Sequence, residues 1–178
     1  TTPVAVRQLL VGGSGLTAFA GINGGTDSAI GLDLTGVEFA LALNTETLST
    51  TQRSAGVVAR EWTSLQASAT TASFIGVSEL EAKVDTLTLA INRAGSDGTL
   101  VNFAAQNLKV QTGTVSKPSE ITLNLDASLG ELTRASGNIE IDAFGFFQVA
   151  GALSLEKRDG QVTLADNPNT TANEATTP

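Results

Sequence analysis

The chain has 178 residues, enough for one good hydrophobic core or at most two small ones, and its net charge of −8 leaves only ten Lys and Arg. That balance excludes the clustered positive charge on which nucleic-acid binding depends. Cys, Met, His and Tyr are all absent, so imidazole acid–base chemistry, thiol chemistry and zinc binding lose their usual groups.

The chain opens at Thr1-Thr2-Pro3, without Met or a charged leader, and reads as a mature or excised piece whose secretion signal, if any, lies elsewhere. No apolar run approaches the roughly 18 to 20 residues that span a bilayer as a helix. The first strand signal is Leu9-Leu10-Val11, followed by Gly12-Gly13-Ser14-Gly15. The glycines superficially suit a phosphate loop, but no GK[ST] or GxGxxG spacing follows, and a glycine-rich bend within a strand is the expectation. Asn23-Gly24-Gly25 then marks a turn.

From Ile30 every second residue is apolar, the period of a half-buried strand. Ile30, Leu32 and Leu34 hold even positions, whereas Val37, Phe39, Leu41 and Leu43 hold odd ones. The phase flips across Thr35-Gly36, which is what one inserted residue does to a strand and predicts a β-bulge. Thr45 to Leu65 lacks alternation and contains poor helix formers, so it is expected to be a long hairpin loop ending in Glu61-Trp62. Ser78-Glu79-Leu80-Glu81 suffices for one helical turn at most.

The flip recurs where Ala82 and Val84 give way to Leu87, Leu89 and Ile91 across Asp85-Thr86. Phe19-Ala20-Gly21-Ile22-Asn23 likewise matches Phe74-Ile75-Gly76-Val77-Ser78, and Ile139 to Phe146 reads as a third copy of Ile30 to Val37. These echoes predict a degenerate repeat of long, kinked strands. Further strands are expected in Leu100 to Val110, Ile121 to Leu129, Phe147 to Leu155 and Val162 to Leu164. Turn chemistry at 94–98, 117–119, 136–138 and 159–160 separates them. Phe144, Phe146 and Phe147 cannot all face one side of a strand, so one side is expected in the core and the other against a sheet, a copy or a ligand.

Residues 1–166 are thus expected to form a single β domain. Residues 167–178, from Asn167 to Pro178, have a linker's composition, and their closing Thr176-Thr177-Pro178 repeats the opening Thr1-Thr2-Pro3. The architecture follows as all-β: long kinked antiparallel strands in a meander, sandwich or rolled barrel, with a β-solenoid as the alternative.

For chemistry, carboxylate pairs and Ser-Lys dyads are what the composition leaves. Glu38, Asp85, Glu120, Asp126, Glu140 and Asp142 alternate along strands as a solvated face would, and Lys83, Lys109, Lys117 and Lys157 have no activating motif. No catalytic residue and no cofactor is therefore expected. Of metals only Ca²⁺ or Mg²⁺ suits oxygen ligands; weak Ca²⁺ candidates are the loops at Asp27, at Asp97 and at Asp159 with Asp166 and Asn167, none matching a known calcium motif. Asn169-Thr170-Thr171 is a formal glycosylation sequon. Trp62 is the sole candidate aromatic platform for a glycan.

The run Phe19 to Leu43 and the stretch Ser136 to Asp142 through Glu156-Lys157 resemble repeat modules of very large bacterial surface or secreted proteins. Those modules show FxGhNGG, hDLxGVEFALAL and SGNhxhDhFGFhxhxG segments, with h apolar. The resemblance covers most of the chain except Thr45 to Arg60 and the tail, and implies a tandem, non-catalytic extracellular building block with no assigned functional residues. The expected function is a structural module that assembles end to end, as a tandem repeat or a fibre or filament subunit, whose partners are copies of the chain or neighbouring repeats joined through Thr1, Thr2, Pro3, Asn167 and Pro178. A glycan- or cell-surface-binding adhesin module, engaged through Trp62, is the alternative.

Overall fold

The computed structural model describes residues 3–165. It is all-β, as the alternation predicts. The strands are β1 (Val6–Ile22), β2 (Ile30–Glu46), β3 (Glu61–Ile75), β4 (Leu80–Arg93), β5 (Leu108–Gln111), β6 (Glu120–Leu123), β7 (Leu132–Ala143) and β8 (Phe147–Arg158). Six of them form one antiparallel meander in the order β1-β2-β3-β4-β7-β8, while β5 and β6 pair separately as a small second sheet. Of the arrangements open to the sequence, the meander is the one adopted; the described residues contain no closed barrel.

Both phase flips are kinks inside continuous strands. Gly36 has φ +59° and Thr86 φ +53°, so each is a single left-handed residue that turns the chain over and returns the apolar set to its original side. Thr86 holds this conformation without glycine's freedom; its hydroxyl donates to the Asp85 carbonyl (2.7 Å) and accepts from Asn138 Nδ2 (3.0 Å). Around Gly15 (φ +63°) the β1–β2 register shifts twice, so Gly12 to Gly15 is the expected bend within a strand.

Several local expectations are corrected. The third repeat copy fails at its end, because Phe144 and Gly145 occupy left-handed positions of the β7–β8 turn instead of a mid-strand kink. The Thr45 to Leu65 loop is shorter than expected and carries a helix, α1 (Thr50–Ser54). Ser49 and Gln52 form a reciprocal capping box there, which supports one turn despite weak propensities. No helix forms at Ser78 to Glu81, where Leu80 already begins β4. Leu100 to Val110 is strand only from Leu108, Ile121 to Leu129 yields a strand only to Leu123 and then a 3₁₀ turn at Ala127–Leu129, and Val162 to Leu164 is not strand.

Antiparallel partners share a side of the sheet, so each register row assigns faces across all six strands. The row Gly13, Phe39, Ala67, Leu89, Ala135 and Leu155 is wholly apolar, and so is Ala18, Leu34, Ala72, Val84, Ile139 and Gly151. The kinks keep both rows on one face. The opposite face carries Asp33, Glu38, Lys83, Asp85, Glu140 and Asp142 along most of its length, and at one end Ala40, Ala42, Asn44, Ser64 and Asn92.

The segment 94–131 crosses over that second end and forms the core there. Ala40 and Ala42, fully buried, lie under Phe103, Val110, Leu123 and Leu125. Side chains no larger than a methyl group let the small sheet approach closely. Most polar groups caught beneath have partners: Ser64 Oγ donates to Asn92 Oδ1 (2.9 Å), Asn92 Nδ2 donates to the Val101 carbonyl (3.2 Å), Gln66 and Asn124 bond reciprocally, and Gln8 Nε2 donates to Asn44 Oδ1 (2.9 Å), leaving the buried Asn44 Nδ2 without a partner. The face with the larger side chains has nothing over it among the described residues.

Candidate interaction surfaces

Trp62 sits on β3 beneath the segment 94–131 and is only 5% exposed. Its indole N–H donates to the Thr99 carbonyl (2.9 Å), and the Arg60 guanidinium stacks on the ring at 5.2 Å. The glycan-platform expectation is therefore corrected: the side chain is a packing anchor, because its polar edge already has a protein partner. Arg60 also forks between Glu46 (2.8 Å) and Asp97 (2.7 Å), tying the start of β3 to the end of β2 and to the 94–98 turn.

That clamp fixes the role of one calcium candidate. Asp97 accepts hydrogen bonds from the Thr99 hydroxyl (2.6 Å), the Thr99 amide and Arg60, and these hold its carboxyl down to about 2. Its oxygens serve a turn. Asp27 lies in the exposed β1–β2 turn and Asp159 in exposed chain after β8, while Asp166 and Asn167 lie outside the described residues. Among the described residues no group of three acidic side chains is arranged to hold a metal.

The clamp makes a pH prediction. Arg60 hydrogen bonding lowers the Glu46 carboxyl, and Asp97 is lowered by Thr99 first and Arg60 second. A carboxyl depressed on folding contributes stability above its ordinary value and loses it as pH falls through the folded value. Arg60→Met should thus be less stable than the parent at neutral pH, and the gap should close between about pH 4 and pH 2. Chemical denaturation at a series of pH values measures it; a gap independent of pH would contradict the assignment.

The acidic strand residues stand as a solvated face. Glu38, Asp85, Glu140 and Asp142 project from the polar side, Glu120 pairs with Lys109 on the small sheet, and Asp126 caps the 3₁₀ turn. Glu79, Glu81 and Asp142 border an open depression of about 470 Å³ between the β3–β4 and β7–β8 turns. Asp142 is committed there, accepting from the Gly145 amide (2.9 Å) and Gln148 Nε2 (2.7 Å). Lys83 pairs with Asp85 at 3.0 Å, which holds its ammonium in the charged form and above its ordinary value.

Phe144 and Phe146 are 64% and 94% exposed at the β7–β8 turn, and Phe147 is 54% exposed at the start of β8. The expectation that one side of this cluster enters the core is corrected, since no layer of the described chain reaches that corner of the sheet. Pro3 is exposed; Thr1, Thr2, Asn167 and Pro178 lie outside the described residues.

Two surfaces that residue motifs do not reveal stand out instead. The first is the pair of edges, β1 and β8, each with one side unpaired along its length among the described residues. All twelve residues of β8 are exposed, and its charges are confined to Glu156, Lys157 and Arg158. β1 carries one charge, Arg7, in 17 residues and no proline. The second is the bare apolar face.

The fold thus defines an all-β protein built on one open antiparallel sheet with a small layer over one end. Comparison with protein-family models, curated proteins and solved structures gives no match. No helix among the described residues is long and apolar enough to cross a membrane.

Proposed function

We propose that this chain is a non-catalytic structural module of the cell exterior that assembles side by side with copies of itself or with neighbouring repeats, extending its sheet through β1 and β8. The observation carrying this reading is the two unguarded edges. Exposed edges present rows of backbone donors and acceptors to any strand alongside, and proteins that stay apart guard them with lysine, proline or a cover. Here the guards are sparse: two register shifts and Arg7 in β1, and three charges at the end of β8.

Strand order supports the same reading. The first and last strands of the meander lie at opposite edges, so the β1 of a following unit continues the antiparallel alternation beside β8 without any rearrangement. The absence of His and Cys, and an acidic face held by ion pairs, fit a scaffold better than a catalyst. The absence of Cys, Met and Tyr, which oxidise readily, and the likeness to bacterial surface repeats favour work outside the cell.

Ala150→Lys with Ala152→Lys places two long cations on the β8 edge, where both side chains are exposed. The parent is expected to form concentration-dependent, laterally extended assemblies visible by light scattering and negative-stain microscopy. The double variant should remain as discrete particles with an unchanged far-UV spectrum. Assemblies of equal extent from both proteins would refute pairing through β8.

A further inference from the structure

We propose that the bare apolar face of the six-stranded sheet is a docking surface for the same face of a second copy, closing a two-layer sandwich about a two-fold axis along the line between β3 and β4. This surface is distinct from the edges, and the inference stands apart from lateral assembly.

The face is too large and too uniform to be incidental. Five register rows, from Gly13–Leu155 to Ile22–Phe147, carry no charged side chain on any strand. Six strands about 4.8 Å apart and five rows about 6.6 Å apart give roughly 950 Å² per copy. The largest apolar patch on an ordinary monomer is about 300–600 Å². Two such faces together would remove about 1,900 Å² from water, within the roughly 1,200–2,000 Å² typical of stable complexes.

Its relief is self-complementary along the two central strands, β3 and β4. On this face β2 is a ridge of large residues through Leu34, Val37 and Phe39, and β4 is a second ridge through Val84, Leu87 and Leu89. Between and beside them run troughs, Ala67-Ala69-Ala72 on β3 and Ala135-Gly137 on β7. A two-fold between β3 and β4 sets β4 over the other copy's β3, β2 over its β7 and β1 over its β8. In the first of the five rows, at one end of the face, every contact then matches small with large: Ala67 faces Leu89, Phe39 faces Ala135 and Gly13 faces Leu155. In the next three rows the β3 and β4 contacts keep this match, Ala69 facing Leu87, Ala72 facing Val84 and Phe74 facing Ala82, while Leu34 meets Ile139 and Leu32 meets Ile141 as large pairs. Aligned sandwiches interdigitate inner faces about 10 Å apart in this manner.

A lipid surface is the other apolar occupant to consider. The face lacks what such a surface selects: the chain has no Tyr, its one Trp lies under the opposite face, and the net charge of −8 opposes anionic headgroups.

Sedimentation of the full chain over a range of concentrations tests the proposal. The double variant Leu34→Lys with Leu89→Lys is chosen because a lysine stem lies along the open face of a single copy with its ammonium in water, whereas a closed sandwich buries it. The parent is expected to dimerise and the variant to dissociate at least roughly a hundredfold more readily, the loss expected of two desolvated charges. Leu32→Lys, at a site 40% exposed and away from both edges, repeats the test without reliance on internal packing. The edge variant Ala150→Lys with Ala152→Lys should keep this dimer while losing lateral assembly, so the two interfaces fail separately. A parent that stays monomeric with lateral growth blocked, a lysine face variant that dimerises as the parent does, or a monomeric parent that co-sediments with phosphatidylcholine vesicles would each overturn the proposal.

Discussion

Leu123→Ala is expected to cost about 2–5 kcal/mol, the range for emptying a fully buried leucine site. Leu123 has no exposed surface and is the largest side chain so enclosed, packed with Val110, Phe103 and Leu125 onto Ala40 and Ala42. The neighbours below it end at a methyl group on a paired strand and cannot move up to fill the space. The layer it holds is only a pair of four-residue strands, which has no independent stability. The loss should therefore be local: amide exchange should accelerate through β5, β6 and the chain around Phe103, while β3 and β4 keep their protection away from the covered end. Urea unfolding read by Trp62 fluorescence reports the same layer, because the indole bonds to Thr99 within it. A cost under about 1 kcal/mol would show that some contact other than this core holds the layer down.

Gly12→Val is expected to destabilise by about 1–3 kcal/mol or more through overpacking. A Cβ at Gly12 would stand 2.2 Å from the Gln111 carbonyl oxygen and 2.9 Å from its carbon, so backbone would have to move. β1 and the end of β5 touch there directly, and Ser14 Oγ donates to the Thr112 carbonyl (3.1 Å) beside the contact. Gly13 provides the control on the other face: its Cβ would meet Leu16 Cδ1 and Phe39 Cε1, the ends of side chains with open space to move into. Gly13→Ala should therefore be much milder. Thermal unfolding of both variants measures the difference; equal losses would mean that β5 does not rest on β1 as described.

The contrast between these adjacent glycines shows where sequence reading stops. The run Gly12 to Gly15 indicates a bend within a strand, and a bend is there. Which glycine lies under another strand depends on where Gln111 crosses, a contact spanning about a hundred positions of chain that no local pattern encodes. The same holds for Trp62. A lone Trp amid polar residues suits an exposed platform until the segment 94–131 lies over it, and the signal that was available, Arg60 two residues before it on the same side of the strand, identifies a partner only once Glu46 and Asp97 are near. Phe144, Phe146 and Phe147 suggested a core because three aromatics in four residues usually find one, but a corner of a sheet that no other described residues reach offers none.

Alternation and its two phase flips determined the strands, their kinks and the sidedness of the sheet, since a residue's side follows from its parity and a left-handed residue reverses that parity locally. Only the tertiary structure decided which side is covered. On the six-stranded sheet the most buried side chains proved to be the small and polar set, Ala40, Ala42, Asn44, Ser64 and Asn92, while Phe39, Leu41 and Leu89 stayed on the open side. The physical reason is that periodicity fixes which side chains stand together, whereas burial depends on what crosses above them, and here the crossing segment settles where short side chains allow two backbones to come close.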